Sequence, residues 1–185
     1  MLFKYHAACH GVHATIEAAR AIQARAHVDP AEIERVDVAV QSEYLNICGI
    51  DTPATGLEGK FSLRFCAALA LAGADTADVE TYSDANVRDP ALTALLEKVR
   101  IHARPAMPMK VADVTVLTRS GAAIEERFDV GVPDRDLTRQ WVKLAAKFRS
   151  CAAPVIGEEK TARTIEAVAG LDRAADLSAL AAAWA

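Results

Sequence analysis

Val111-Ala112-Asp113-Val114-Thr115-Val116-Leu117-Thr118, then Arg119-Ser120-Gly121, then residues 122–130: this stretch decides the fold class. Two β-prone arms flank a short break that contains glycine, which is the signature of a β-hairpin and therefore of antiparallel pairing. Upstream, Val36, Val38 and Val40 alternate within residues 35–40 and predict a half-buried strand. Residues 99–103 predict a short strand, ended by Pro105 and Pro108.

The remaining segments carry helical spacing. Val12, Ile16, Ala19 and Ile22 predict an amphipathic helix over residues 11–26. Residues 49–58 are loop by composition. Residues 60–73 are so apolar that a buried helix stopped by Gly73 is expected. A short helix is expected from residue 76, and a better one from Asp89-Pro90 to Lys98, since proline suits the first helical turn. Beyond Gly131-Val132-Pro133, Asp136 is placed to cap a helix through Trp141 and Phe148, with two more helices at about 158–169 and 175–184. No regular βαβ alternation or repeat is visible. The expected class is α+β, an antiparallel sheet with a hairpin packed by helices.

Composition narrows the function classes. With 185 residues, 52% hydrophobic and 25% charged, the chain is long enough to bury a core and too apolar for disorder. The formal net charge of −4 gives no basic balance that would favour nucleic acid. The longest apolar stretch, residues 65–74, is about half of what a membrane span requires, and the first residues lack the pattern of a secretory signal. A soluble, cytoplasmic protein without a membrane partner is expected. Cys9, Cys48, Cys66 and Cys151 form no CxxC spacing and are read as reduced thiols.

Reactive side chains are densest at the start: Lys4, Tyr5, His6, Cys9, His10 and His13. If the first helix reached back this far, His6, Cys9, His10 and His13 would occupy i, i+3, i+4 and i+7 on one stripe. Three readings are open. The group is a polar helix start; or a His/Cys metal site; or an anion-binding and acid–base cluster, with Lys4 supplying fixed charge and a histidine supplying a pKa near neutrality. No Asp or Glu lies between Lys4 and His13, which weakens the metal site and leaves the positive field unopposed. In a second group, Lys60-Phe61-Ser62-Leu63-Arg64, Ser62 is either an N-cap, its commoner role, or, with Lys60 and Arg64, part of a carboxylate site at a helix start.

These residues carry a family resemblance. Residues 4–18, KYHAACHGVHATIEA, resemble the Lys…Cys-x3-His-x2-Ile-(Asp/Glu)-Ala stretch of the MmgE/PrpD family. Lys60-Phe61-Ser62-Leu63 is similar to its Lys/Gln-Phe-Ser-Leu/Ile segment. The strand from Met109 with its Gly121 turn, Gly131-Val132-Pro133 and Lys147-Phe148 resemble later elements. The resemblance implies the C-terminal α+β lid of a two-domain enzyme over residues 1–157 and a helical extension over 158–185. The N-terminal all-helical domain, which carries further catalytic Asp and His residues, is absent from this sequence and is the implied partner.

The family includes 2-methylcitrate dehydratase and cis-aconitate decarboxylase, so the resemblance implies a homo-oligomeric lyase acting on a small polycarboxylate, with no metal and no organic cofactor. It makes Lys4, His13, His6 and Cys9 the catalytic candidates and Lys60, Ser62 and Arg64 the substrate-binding ones. One departure stands out: where members commonly carry a tyrosine three residues after the serine, this chain has Phe65.

Overall fold

Alternating apolar side chains produce four strands: β1 (Ile33–Val40), β2 (Val99–Ala103), β3 (Val111–Thr118) and β4 (Ala123–Asp129). In the computed structural model, which describes residues 2–184, they form one sheet in the order β2-β1-β3-β4. The hairpin pairs β3 with β4, Thr115 facing Glu125, and β3 also runs antiparallel to β1, Val114 facing Val38. The sheet is not wholly antiparallel. β2 runs parallel to β1, Val38 facing Ile101, because the chain returns from β1 through a helical crossover. A register shift between Ile33 and Arg35 inserts one residue, so that Ile33 and Val36 both face the core.

The helices are α1 (His13–Ala26), α2 (Leu45–Cys48), α3 (Gly56–Gly59), α4 (Leu63–Leu71), α5 (Asp84–Val87), α6 (Pro90–Glu97), α7 (Leu137–Ile156), α8 (Glu158–Ala169) and α9 (Ser178–Trp184). α1 lies on β3 and β4, and α4 packs between α1 and α6. Ile16, Ala19 and Ile22 of α1 meet Val36, Val38, Val114 and Val116 in the core. Every residue of α4 except Arg64 is buried, the condition of a helix apolar on all sides. Its alanines allow the close approach of α1.

Two local expectations change. The loop at residues 49–58 contains the single turn α3, started by the Thr55 hydroxyl accepting the Glu58 N–H. The helix expected from residue 76 does not form. Asp75 and Asp78 carboxylates instead accept the N–H groups of Ala77 and Glu80, the local competition by which Asp favours turns over helices. The helical turn comes later, at α5, capped by Ser83.

Packing divides the chain into a unit ending at Pro133 and a second unit beginning at Asp134. The border expected at residue 157 falls inside the second unit, between α7 and α8, where Gly157 takes φ 83°. In that unit an apolar groove between α7 and α8 is lined by Trp141, Leu144, Phe148, Ile165 and Val168, and the Trp184 indole donates to the Thr164 hydroxyl at 3.1 Å.

Candidate functional site

Residues 4–9 have no regular structure, His10–Val12 make one tight 3-10 turn, and α1 begins only at His13. The single helical stripe expected for His6, Cys9, His10 and His13 is therefore absent: Cys9 sits at φ −56°, ψ 140°, outside the helix. The imidazoles gather nonetheless. The His13 ring stands 4.9 Å from His6, edge-on, and 5.0 Å from His10. Two backbone hydrogen bonds hold the irregular segment in place, Ala7 N–H to the Thr76 carbonyl at 2.9 Å and Cys9 N–H to the Lys60 carbonyl at 3.0 Å. The second of these joins the two groups of residues singled out in the sequence.

The row has a closed end and an open end. At the closed end His6, 5% exposed, shares a hydrogen bond of 2.8 Å between Nδ1 and the Thr76 hydroxyl, and its Nε2 lies 3.3 Å from Glu17 Oε1. The acid-free field expected from the sequence is thus corrected: Glu17, one helical turn beyond His13, folds back onto the cluster. In the middle, His13 Nε2 donates to the Ala8 carbonyl at 3.4 Å, which leaves Nδ1 as the free acceptor of the neutral ring. Burial, then the His6 and His10 rings, hold His13 down at about 3. At the open end, half-buried His10 is also lowered, by burial first and then by the charges of Lys110 and Lys4. Exposed Lys4 acts on both His10 and His13.

The remaining candidates are placed differently. Cys9 packs against Cys48, whose thiol is pushed up to about 12 by burial and by its contact with Cys9. Cys66 donates to the Gly59 carbonyl at 3.4 Å, and burial pushes its thiol up. Half-buried Lys60 lies with its ammonium 5.9 Å from the centre of the Tyr82 ring. The wholly buried Ser62 hydroxyl accepts the Phe65 N–H at 3.1 Å, the N-cap alternative. Arg64, expected at the ligand, is spent on three carbonyls instead: Val99 at 3.1 Å, Leu96 at 3.0 Å and Asp51 at 3.3 Å. Phe65 is core, 1% exposed.

Sequence reasoning missed Tyr44 and Lys110. The Tyr44 ring lies against Gly11, where an added Cβ would stand 2.9 Å from Tyr44 Cδ1, and its phenol is raised by burial while facing the Lys110 N–H. Neither residue is close to the histidines in sequence, so no spacing signal could have found them.

The first unit has another concavity, about 1150 Å³, on the sheet face away from α1. There Asp37 bridges Arg35 and His102 at 2.7 and 2.8 Å. Burial works to raise the Asp37 carboxyl, but hydrogen bonds from His102 and Arg35 hold it below the usual carboxylate range. Its charges are largely matched to one another, unlike the histidine row.

The C-terminal domain of MmgE/PrpD proteins matches residues 6–173. The chain belongs to the MmgE/PrpD family. Members are generally lyases of dehydratase type. The match takes in His6, Cys9, His13, Lys60, Ser62 and Arg64 and begins just after Lys4. Among curated proteins the comparison found no match. Among the described residues, no group of three or more His, Cys, Asp or Glu is arranged to hold a metal ion, and no helix is long and apolar enough to cross a membrane.

Proposed function

We propose that this chain is the C-terminal lid of a 2-methylcitrate dehydratase-like lyase, acting on small polycarboxylates by acid–base chemistry without metal or organic cofactor. The observation that carries this reading is the imidazole row His6–His13–His10, backed by Glu17 at its buried end and faced by Lys4 at its open end. In a dehydration the C–H bond next to a carboxylate breaks, its electron pair forms the C=C bond, and the β-hydroxyl leaves with a proton as water. The developing negative charge requires fixed cations, and the departing proton requires a base.

Lys4 is assigned to the carboxylate, with Lys60 beside it. His13, through its free Nδ1, is assigned to the proton. His6, engaged at both nitrogens, is a positioning residue that holds the edge of His13. Cys9 is a packing thiol. A substrate carboxylate opposes the influences that depress His13, so the base gains strength when the substrate arrives. The proton for the leaving hydroxyl is assigned to a facing helical domain, in a homo-oligomeric cytoplasmic enzyme.

The test is co-expression with a helical MmgE/PrpD domain, followed by assay of methylcitrate, aconitate and iminodisuccinate for dehydration, decarboxylation and epimerisation. Turnover is expected, reduced about 100-fold or more by Lys4→Ala or His13→Ala. Absence of turnover, with ligand binding unchanged in Lys4→Ala, overturns the proposal. The second reading, a non-catalytic lid paired with a helical subunit, is favoured by one observation: position 65 offers a buried phenyl ring rather than a phenolic donor.

A further inference from the structure

The loop after α4 holds Thr76 from both sides. Gly73, at φ 76°, turns the chain out of the helix. Its N–H bonds the Ala70 carbonyl at 3.2 Å, and the Ala74 N–H bonds the Leu69 carbonyl at 3.0 Å, the paired closure that favours glycine. The Asp75 carboxylate then accepts the Ala77 N–H at 2.9 Å, while the Asp75 carbonyl accepts the Thr81 hydroxyl at 2.6 Å. Thr76, between these anchors, is wholly buried. Its own carbonyl accepts the Ala7 N–H at 2.9 Å and the Tyr82 phenol at 3.5 Å.

The side chain so placed meets the histidine row. The Thr76 hydroxyl lies 2.8 Å from His6 Nδ1, across 70 positions of sequence. On the far side of the same ring, Nε2 lies 3.3 Å from Glu17 Oε1. An ionised carboxylate can only accept, so the neutral ring carries its proton on Nε2 and leaves Nδ1 as an acceptor. The Thr76 hydroxyl, able to donate or accept, is then the donor, and the bond at one imidazole nitrogen sets the tautomer at the other. A half-turn of the ring about its Cβ–Cγ bond would break both contacts. The His13 ring stands edge-on to His6 at 4.9 Å, so a turn of His6 would change the wall that His13 meets.

We infer that Thr76 is a positioning residue of this site: it donates to His6 Nδ1, holds that ring in its Nε2–H form, and so fixes the surface against which His13 moves the proton. The inference rests on the acid–base reading given above and extends it to a loop that contributes no group to the reaction. The turns that replace the helix expected from residue 76 are what deliver this hydroxyl to the histidine row.

The experiment records nitrogen–proton correlation spectra of the imidazoles in the wild type, Thr76→Ser and Thr76→Val, with turnover measured beside the co-expressed helical domain. Valine keeps the shape of threonine and removes the hydroxyl. Wild type and Thr76→Ser should show His6 with a protonated Nε2 and a bare Nδ1, whereas in Thr76→Val the Nδ1–H form should become detectable. In Thr76→Val kcat should fall about tenfold, the size of one lost hydrogen bond, with KM changed by less than about threefold. Thr76→Ser should restore kcat to within about threefold of the wild type. A wild-type His6 protonated on Nδ1 refutes the donor assignment, whether or not the valine variant folds. If Thr76→Val leaves tautomer and kcat unchanged, or if kcat falls equally in Thr76→Ser, the residue only fills space; the inference is refuted and the acid–base reading stands. If the wild type shows the Nε2–H form but turns over no polycarboxylate, the acid–base reading fails and the positioning role fails with it.

Discussion

His13 is 2% exposed and has two other imidazoles within about 5 Å, which makes a charged ring costly there. Its folded pKa, about 3, lies below the 6.5 or so of an unfolded histidine. The folded chain therefore binds fewer protons than the unfolded chain between these values. This contribution to stability is complete above about pH 6.5 and is lost as pH falls towards 3, with a slope approaching about 1.4 kcal/mol per pH unit. Urea unfolding at pH 4, 5 and 6.5 should show His13→Gln losing less stability than wild type over this range, and equal losses would contradict the burial argument. At this scale the gathering of the His6, His10 and His13 rings was legible because they share one short stretch. Glu17 lay only four residues beyond His13, and a search extended by one helical turn would have found it. Lys110 and Tyr44 come from remote segments joined by packing, which spacing along a single chain does not encode.

α4 illustrates what sequence reveals about elements and what it leaves open. Its burial followed from an unbroken apolar run, and its start from Ser62, but the choice between cap and ligand contact depended on where the hydroxyl pointed. Because the hydroxyl accepts the Phe65 N–H in a fully buried position, Ser62→Ala should cost about 1–2 kcal/mol. Arg64→Leu should cost about 2–4 kcal/mol, since three carbonyls, at the end of α6, at the start of β2 and at Asp51 in the loop after α2, lose a charged donor. Neither substitution should alter tricarballylate affinity in protein that remains folded. A loss of affinity without loss of stability would return both residues to the ligand. The hairpin was readable from the glycine-containing break between two β-prone arms, and β1 from alternation. The parallel pairing of β2 was not, because a short strand carries no mark of direction and its partner is set by the crossover.

Across the whole molecule, the distribution of core decides which part stands alone. Every residue of the main core cluster precedes Pro133, whereas the second unit buries only Thr161, Thr164 and Ala183 among its described residues. Burial of apolar surface is the main term that offsets the entropy of ordering a chain. A chain ended after Pro133 should therefore keep a cooperative thermal transition, with the His6–His13–His10 row intact and its imidazole resonances little shifted. A peptide of residues 134–185 faces the opposite situation: α7 has no buried residue, and short helices without a packed face are marginal in water. It should show partial helicity by circular dichroism and a broad, non-cooperative melt. Cooperative unfolding of that peptide would contradict the argument from its sparse core, whereas collapse of the chain ended at Pro133 would mean that the first unit derives its stability from the second. In that case the lid would have to be treated as one folding unit through α9, and the candidate site would depend on helices that contribute none of its side chains.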